Sequence, residues 1–297
     1  MILFFYKFVC KVLVEMYYFL VIIAVVLFSL QFLFNQRFEE SRGESLKSAL
    51  EFSLYKSVVI VVLMLIISGF KVQITPFSFL MSVVYAFSGI AMTVFSMKAF
   101  AVANLSVYSV FSMLGGMLLP FVLGVGFYNE ELTVFKVICC ALIVVSVLLN
   151  IKKGSQNKKA IAYYMAVFIL NGMAGIISKI HQSSDLPHSD SSGFMMLTSL
   201  VTVVICAAWM LIKYKKIPII KGKEFLFASG YGVFNGIGNL FLLVSLVHLP
   251  ASVQYPLVTG GVMLFSTLIS AIRKEKIEKK EYIAAVISFA ASVLMAF

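Results

Sequence analysis

The side chains best able to do chemistry in this chain are amides and hydroxyls, and their chemistry is hydrogen bonding. The segment 249–261, LPASVQYPLVTGG, sets Gln254, Tyr255 and Thr259 around Pro256 and next to Gly260 and Gly261 in otherwise apolar surroundings. Some 146 residues earlier, the segment 103–116, ANLSVYSVFSMLGG, repeats the theme with Asn104, Ser106, Tyr108, Ser109 and Ser112 ahead of Gly115 and Gly116. A proline inside a helix leaves the carbonyl four residues back without its usual donor, and paired glycines admit another backbone or a ligand. Gly115, Gly116, Pro120, Pro256, Gly260 and Gly261 are therefore candidate hinge or packing positions, and the neighbouring polar groups are suited to holding a polar molecule reversibly.

Bond-making chemistry has no comparable set of residues. Only two aspartates occur, Asp185 and Asp190, both in HQSSDLPHSD with His181 and His188. Those residue types suit a metal, but a flexible loop is a poor cage, and no metal is expected. The four cysteines, Cys10, Cys139, Cys140 and Cys206, lack CxxC spacing and read as packed or lipid-facing thiols. There is no nucleophile with a base, no carboxylate cluster, no phosphate-binding loop and no dinucleotide fingerprint, so neither an enzyme nor a cofactor is expected. None of the eleven glutamates falls in the middle of an apolar span. Glu15 precedes the first span, and proton coupling through an intramembrane carboxylate is not expected.

The elements carrying these residues belong to a membrane. Of 297 residues, 61% are hydrophobic and 12% charged, with mean hydropathy +1.02. Soluble domains are about 45–50% apolar and about 25% charged. Spans of about 20 apolar residues cross a bilayer as helices. Ten are predicted, at 16–34, 53–70, 76–98, 103–127, 133–151, 160–180, 193–212, 225–247, 250–272 and 282–297. Only the links at 35–51 and 181–192 are predicted to be long. Ahead of the first span, Lys7, Lys11 and Glu15 recur every four residues, as in an interfacial helix over 1–15. A start at Met16 is the alternative, and no small-residue cleavage site marks a signal peptide.

Nineteen of the basic residues, Lys56 among them, fall on odd-numbered links, against five on the N-terminus and even links. The positive-inside rule then puts odd links in the cytoplasm and both termini outside. The net charge of +11 is thus an orientation signal and not a nucleic-acid footprint.

The halves repeat. Tyr17-Tyr18 and Tyr163-Tyr164, Phe87-Ser88-Gly89-Ile90 and Phe234-Asn235-Gly236-Ile237, Ser106-Val107 and Ser252-Val253, Gly115-Gly116 and Gly260-Gly261, and Glu130 and Glu275 pair at nearly one offset. Five helices per copy is odd, so the second copy enters from the opposite face. The fold class is an all-α integral membrane protein of two inverted five-helix repeats, 16–151 and 160–297.

The segment YPLVTGGVMLFSTLISAIRKEKIEKKEYIAAVISFAASVLMAF resembles the closing helix pair of the EamA-like drug/metabolite transporter superfamily. SMLGGMLLPFVLGVGFYNEELTVFKVICCALIVVSVLLN, with Pro120 and Glu130, is similar to the same unit. The resemblance implies a carrier with a central cavity among the first, third and fourth helices of each repeat, here spans 1, 3, 4, 6, 8 and 9, and implies cytoplasmic termini, against the charge count. On those spans Gln31, Ser96, Asn104, Tyr108, Asn171, Lys179, Asn235, Asn239, Gln254, Tyr255 and Thr259 are the candidate substrate-binding residues. Ser29, Ser88, Thr93, Ser178 and Ser245 are further polar positions there. The expected function is transport of a small polar metabolite, such as an amino acid, by alternating access in the cell membrane. A zwitterion or anion is favoured over an organic cation. Alternatives are a multidrug or organic-cation exporter, and a scaffold or channel. The expected partners are a small-molecule substrate and the lipid bilayer, with no nucleic acid; the protein is expected to be a monomer or homodimer.

Overall fold

A computed structural model of the chain describes residues 2–102, 105–127, 133–150, 158–217, 219–246, 249, 251–275 and 277–294. Among them lie ten helices: α1 (Ile2–Arg42), α2 (Leu46–Ile67), α3 (Pro76–Phe100), α4 (Leu105–Phe127), α5 (Val134–Asn150), α6 (Lys158–Gln182), α7 (Ser191–Tyr214), α8 (Gly222–Leu246), α9 (Ala251–Ile272) and α10 (Lys279–Leu294). Seven of them, α1 to α4 and α6 to α8, are long and apolar enough to cross a membrane, and α9 carries a shorter apolar stretch, Leu257–Ile272. Leu, Val and Phe dominate these segments, and a helix satisfies every backbone group internally, as lipid demands.

Two boundaries differ from the sequence reading. The segment before residue 16 is continuous with the first span, so α1 is one helix of 41 residues, about 60 Å at about 1.5 Å per residue and far longer than a bilayer core. The link expected at 35–51 shrinks to 43–45, since α1 runs on to Arg42 and α2 starts at Leu46. Gly43 takes φ +74° just past α1, and Ser45 caps α2 by accepting from Ser48 N at 3.1 Å. Lys56, counted among that link's basic residues although it falls within the predicted span 53–70, is an interior residue of α2.

Named contacts give the inversion. The middle and end of α2 (Ile60, Met64) cluster with the start of α7 (Met195, Met196, Leu197). The start of α2 (Leu50, Leu54) clusters with the later part of α7 (Cys206, Met210). These two helices, equivalent in the repeats, run antiparallel. Cys139 early in α5 meets Ala291 late in α10, while Ser146 later in α5 donates to Ala284 O early in α10 at 2.8 Å. Equivalent helices packed head to tail require a twofold axis in the membrane plane. Pairs between non-equivalent helices agree. On α1 and α8 the ends are swapped, with Phe34 on Gly230 and Phe28 on Gly238, whereas α4 and α6 run parallel, with Gly115 on Phe168 and Pro120 on Gly175.

Candidate substrate cavity

Between the halves lies a cavity of about 250 Å³ walled by α1, α2, α3, α4, α6, α7, α8 and α9. Its depth is set by the helices themselves, because residues near the centres of α3, α6 and α8, and the last third of the long α1, face it. Phe28, Phe32, Met92 and Val258 supply apolar wall. The polar groups are tethered. Asn235 Nδ2 donates to Gln31 Oε1 at 2.7 Å, joining α8 to α1. Asn239 Nδ2 donates to the carbonyl of Asn235 at 2.9 Å. Asn171 Nδ2 donates to the carbonyl of Ser112 at 2.7 Å, joining α6 to α4. The hydroxyls of Ser96 and Tyr108 lie 2.8 Å apart, and Tyr108 is held edge-on by Phe32 and against Phe100.

Of the eleven residues expected to bind substrate, Gln31, Ser96, Tyr108, Asn171, Asn235, Asn239, Tyr255 and Thr259 line this cavity. Asn104 lies outside the described residues. Lys179 and Gln254 are not brought to the wall. Gln254 is fully buried and its Nε2 donates to the carbonyl of Leu242, tying α9 to α8. Lys179 sits in the last turn of α6, where a lysine is close enough to the interface to reach it. Among the expected hinges, Gly116 lines the cavity and Gly260 is buried in α9. A Cβ on Gly115 would lie 1.9 Å from the carbonyl oxygen of Phe168, and one on Gly261 would lie 2.8 Å from Val25 Cγ1. Those two are close-approach positions. Pro120 lies inside α4 and packs where Gly175 leaves room. Pro256 belongs to α9 and its side chain lies outside the described residues.

Spans 2 and 7, expected to stand apart from the cavity, contribute Lys56, Ser57, Ile60, Thr198, Ser199 and Thr202. Sequence reasoning passed over them because their polar groups are inexpensive to bury or were placed in a link. Thr198 and Thr202 donate back to the carbonyls of Met195 and Thr198 at 2.9 and 2.7 Å, which a helix tolerates in lipid. The available signal was Lys56 itself, a charge three residues inside the apolar run that begins at 53. Asn35, one turn beyond Gln31, was also missed; it lines the cavity with Oδ1 buried and unpartnered.

Both ends are tied. Toward the ends of α1 and α9, on the face with most basic residues, Arg273 donates to Glu40 Oε1 at 2.9 Å and also to Gln36 Oε1, and pairs with Glu275 at 2.9 Å. Arg42 donates through Nε to Glu51 Oε2 at 3.1 Å and approaches Glu224 at 3.7 Å. Glu130, the repeat partner of Glu275, lies outside the described residues. On the opposite face His181 is 1% exposed. It stacks on Phe194 with centroids 3.9 Å apart and shares a 2.8 Å hydrogen bond with Ser78 Oγ. Asp190 caps α7 by accepting from Gly193 N at 3.1 Å. HQSSDLPHSD is thus an ordered link, anchored through His181 beside Phe194, which itself lines the cavity.

Residues 158–297 match the EamA-like transporter family, which corresponds to the second repeat. Among curated proteins, none matches this sequence. Solved structures share the fold; among them, a crystal structure does so with a TM-score of 0.63 at 15% identity, covering 94% of this chain and 96% of that chain.

Proposed function

Because this chain belongs to the EamA-like transporters of the drug/metabolite transporter superfamily, we propose that it moves a small polar metabolite, such as an amino acid or a related compound, across the cell membrane by alternating access. The chain is a multi-pass membrane protein of transporter type, and members of that family are transporters and not enzymes. The observation that carries the finer reading is the small cavity, walled by both inverted halves and lined by tethered amides and hydroxyls. Polar groups held by protein offer a substrate hydrogen bonds without the cost of ordering them first. The substrate and the bilayer are the proposed partners, and neither cofactor nor nucleic acid has a part. The two networks at opposite ends of the cavity would open in turn as the halves rock.

Counterflow in proteoliposomes tests this. Asn239→Ala and Asn235→Ala each delete a wall amide, and a lost hydrogen bond of about 1.5 kcal/mol corresponds to roughly tenfold weaker apparent affinity. Gln254→Ala, whose target side chain faces α8, is expected to lower stability while leaving apparent affinity within about twofold. Saturable uptake of one metabolite class with that pattern supports the carrier. Single-channel conductance without saturation, or uptake confined to cationic dyes, contradicts it.

A further inference from the structure

Lys56 is the one charged side chain among the described residues of the cavity wall. It stands midway along α2, where a lysine cannot reach either interface easily, and a charge at that depth is expensive unless it is paired or used. Its ammonium has three protons to donate. One goes to Thr93 Oγ1 at 2.8 Å; that hydroxyl spends its own proton on the carbonyl of Gly89 at 3.0 Å and so is an acceptor toward Lys56. Otherwise the ammonium lies over ring faces, 4.8 Å from the centroid of Tyr231 and 5.2 Å from that of Phe52. The carboxylate nearest in sequence, Glu51, is 1% exposed and already holds Arg42 and Lys47.

The repeat shows that the scaffold does not require this charge. At the offset of 146 residues the equivalent of Lys56 is Thr202, which also lines the cavity and closes its hydrogen bond within its own helix. A neutral residue fills the equivalent place in the same helix pair, so the cation is an addition to one side only. Asn35, 3% exposed, adds a wall carbonyl with no partner, which suits a donor on the same ligand.

Resting on the carrier reading above, we propose that Lys56 is the anion-binding residue of the cavity and that the substrate carries a carboxylate, received by Lys56 beside the Thr93 hydroxyl. A compound with an ammonium and no carboxylate would meet an uncompensated like charge and be rejected, while a zwitterion or a monocarboxylate would supply the missing counter-charge.

The test uses the full chain, purified and reconstituted, with matched probes: amino acids and short monocarboxylates, each beside its carboxamide and, for amino acids, its decarboxylated amine. Counterflow and thermal stabilisation are both read, at constant ionic strength, for wild type, Lys56→Met and Lys56→Arg. Wild type is expected to prefer carboxylates over their matched partners by at least tenfold. Lys56→Met is expected to reduce that preference to within twofold, and Lys56→Arg to retain much of it. Since Lys56→Met removes a partly buried charge that has no carboxylate partner among the described residues, it is expected to melt no lower than wild type, which separates lost recognition from lost folding. Equal handling of carboxylates and their amides by wild type, or an undiminished preference in Lys56→Met, overturns the proposal while leaving a carrier in place. Lys56-dependent stabilisation by carboxylates with no counterflow of any compound supports it and overturns the carrier reading. No stabilisation and no counterflow overturn both.

Discussion

Replacing Gly115 by alanine is expected to cost about 3 kcal/mol or more of stability. The missing methyl would stand 1.9 Å from the carbonyl oxygen of Phe168 and 2.7 Å from its Cα, backbone atoms with no rotamer to yield. Accommodation therefore requires α4 and α6 to move apart along a seam where Gly172 lies against Gly115 O and Gly175 against Pro120. Separation there also stretches the Asn171 to Ser112 bond of 2.7 Å. In membranes, close packing of small residues with interhelical hydrogen bonds is the main source of helix association. Gly126→Ala is the control, since nothing lies within 4 Å of its Cβ position on the same helix; that change is expected to be neutral or to stabilise by up to about 1 kcal/mol. Reversible unfolding in mixed micelles reads both. A Gly115→Ala protein as stable as wild type would mean that α4 and α6 do not approach at Gly115 as described.

Arg42→Met is the second large effect. Glu51 is 1% exposed, and Arg42 grips it through two nitrogens while Lys47 stands 3.9 Å away. Arg42 is itself 29% exposed, so its removal leaves the buried Glu51 carboxylate with the more distant Lys47 alone, at a cost of about 1–3 kcal/mol. Because Arg42 also approaches Glu224 of α8, its loss loosens α1, α2 and α8 together at the basic end. Adding Glu51→Gln removes the stranded charge and is expected to restore most of the loss, a non-additivity that a double-mutant cycle in the same unfolding assay measures. Simple additivity would show that the pair is not coupled.

Much of this fold is legible in the sequence because lipid imposes so strict a rule. A helix must satisfy its own backbone, so apolar runs become spans, and parity then fixes the inversion of the second copy. The pairs Tyr17 with Tyr163 and Gly115 with Gly260 point to that duplication directly. Positions are harder to read than elements. The polar wall was traceable through Gln31, Asn171, Asn235 and Asn239, since an amide in lipid needs a reason. Gln254 is also an amide, yet it stands in the first turn of α9 and turns to Leu242; which face of α9 meets the cavity depends on helix rotation, and nearly uniform hydrophobicity carries little information about rotation. Lys56 escaped for a different cause. A span was taken to begin where apolar residues begin, whereas α2 begins where Ser45 caps it, several residues earlier, with Glu51 neutralised by Arg42. Counted as an orientation charge close to the edge of the predicted span, Lys56 instead stands ten residues into α2, in the wall of the site. The glycine seam between α4 and α6 was visible as glycines, but their role as contacts depends on Phe168, which the sequence does not place beside them.

The central proposition, a shared cavity reached from each face in turn, is tested most directly by a single cysteine at Ala174, a small wall residue of α6, in a chain whose four cysteines are replaced. A membrane-impermeant maleimide is applied to one face at a time, in right-side-out and inverted vesicles, with and without transported metabolite. The expected result is labelling from both faces, shifted between them by substrate on one side and slowed by saturating substrate on both. Labelling from one face only, unchanged by any substrate, would contradict it.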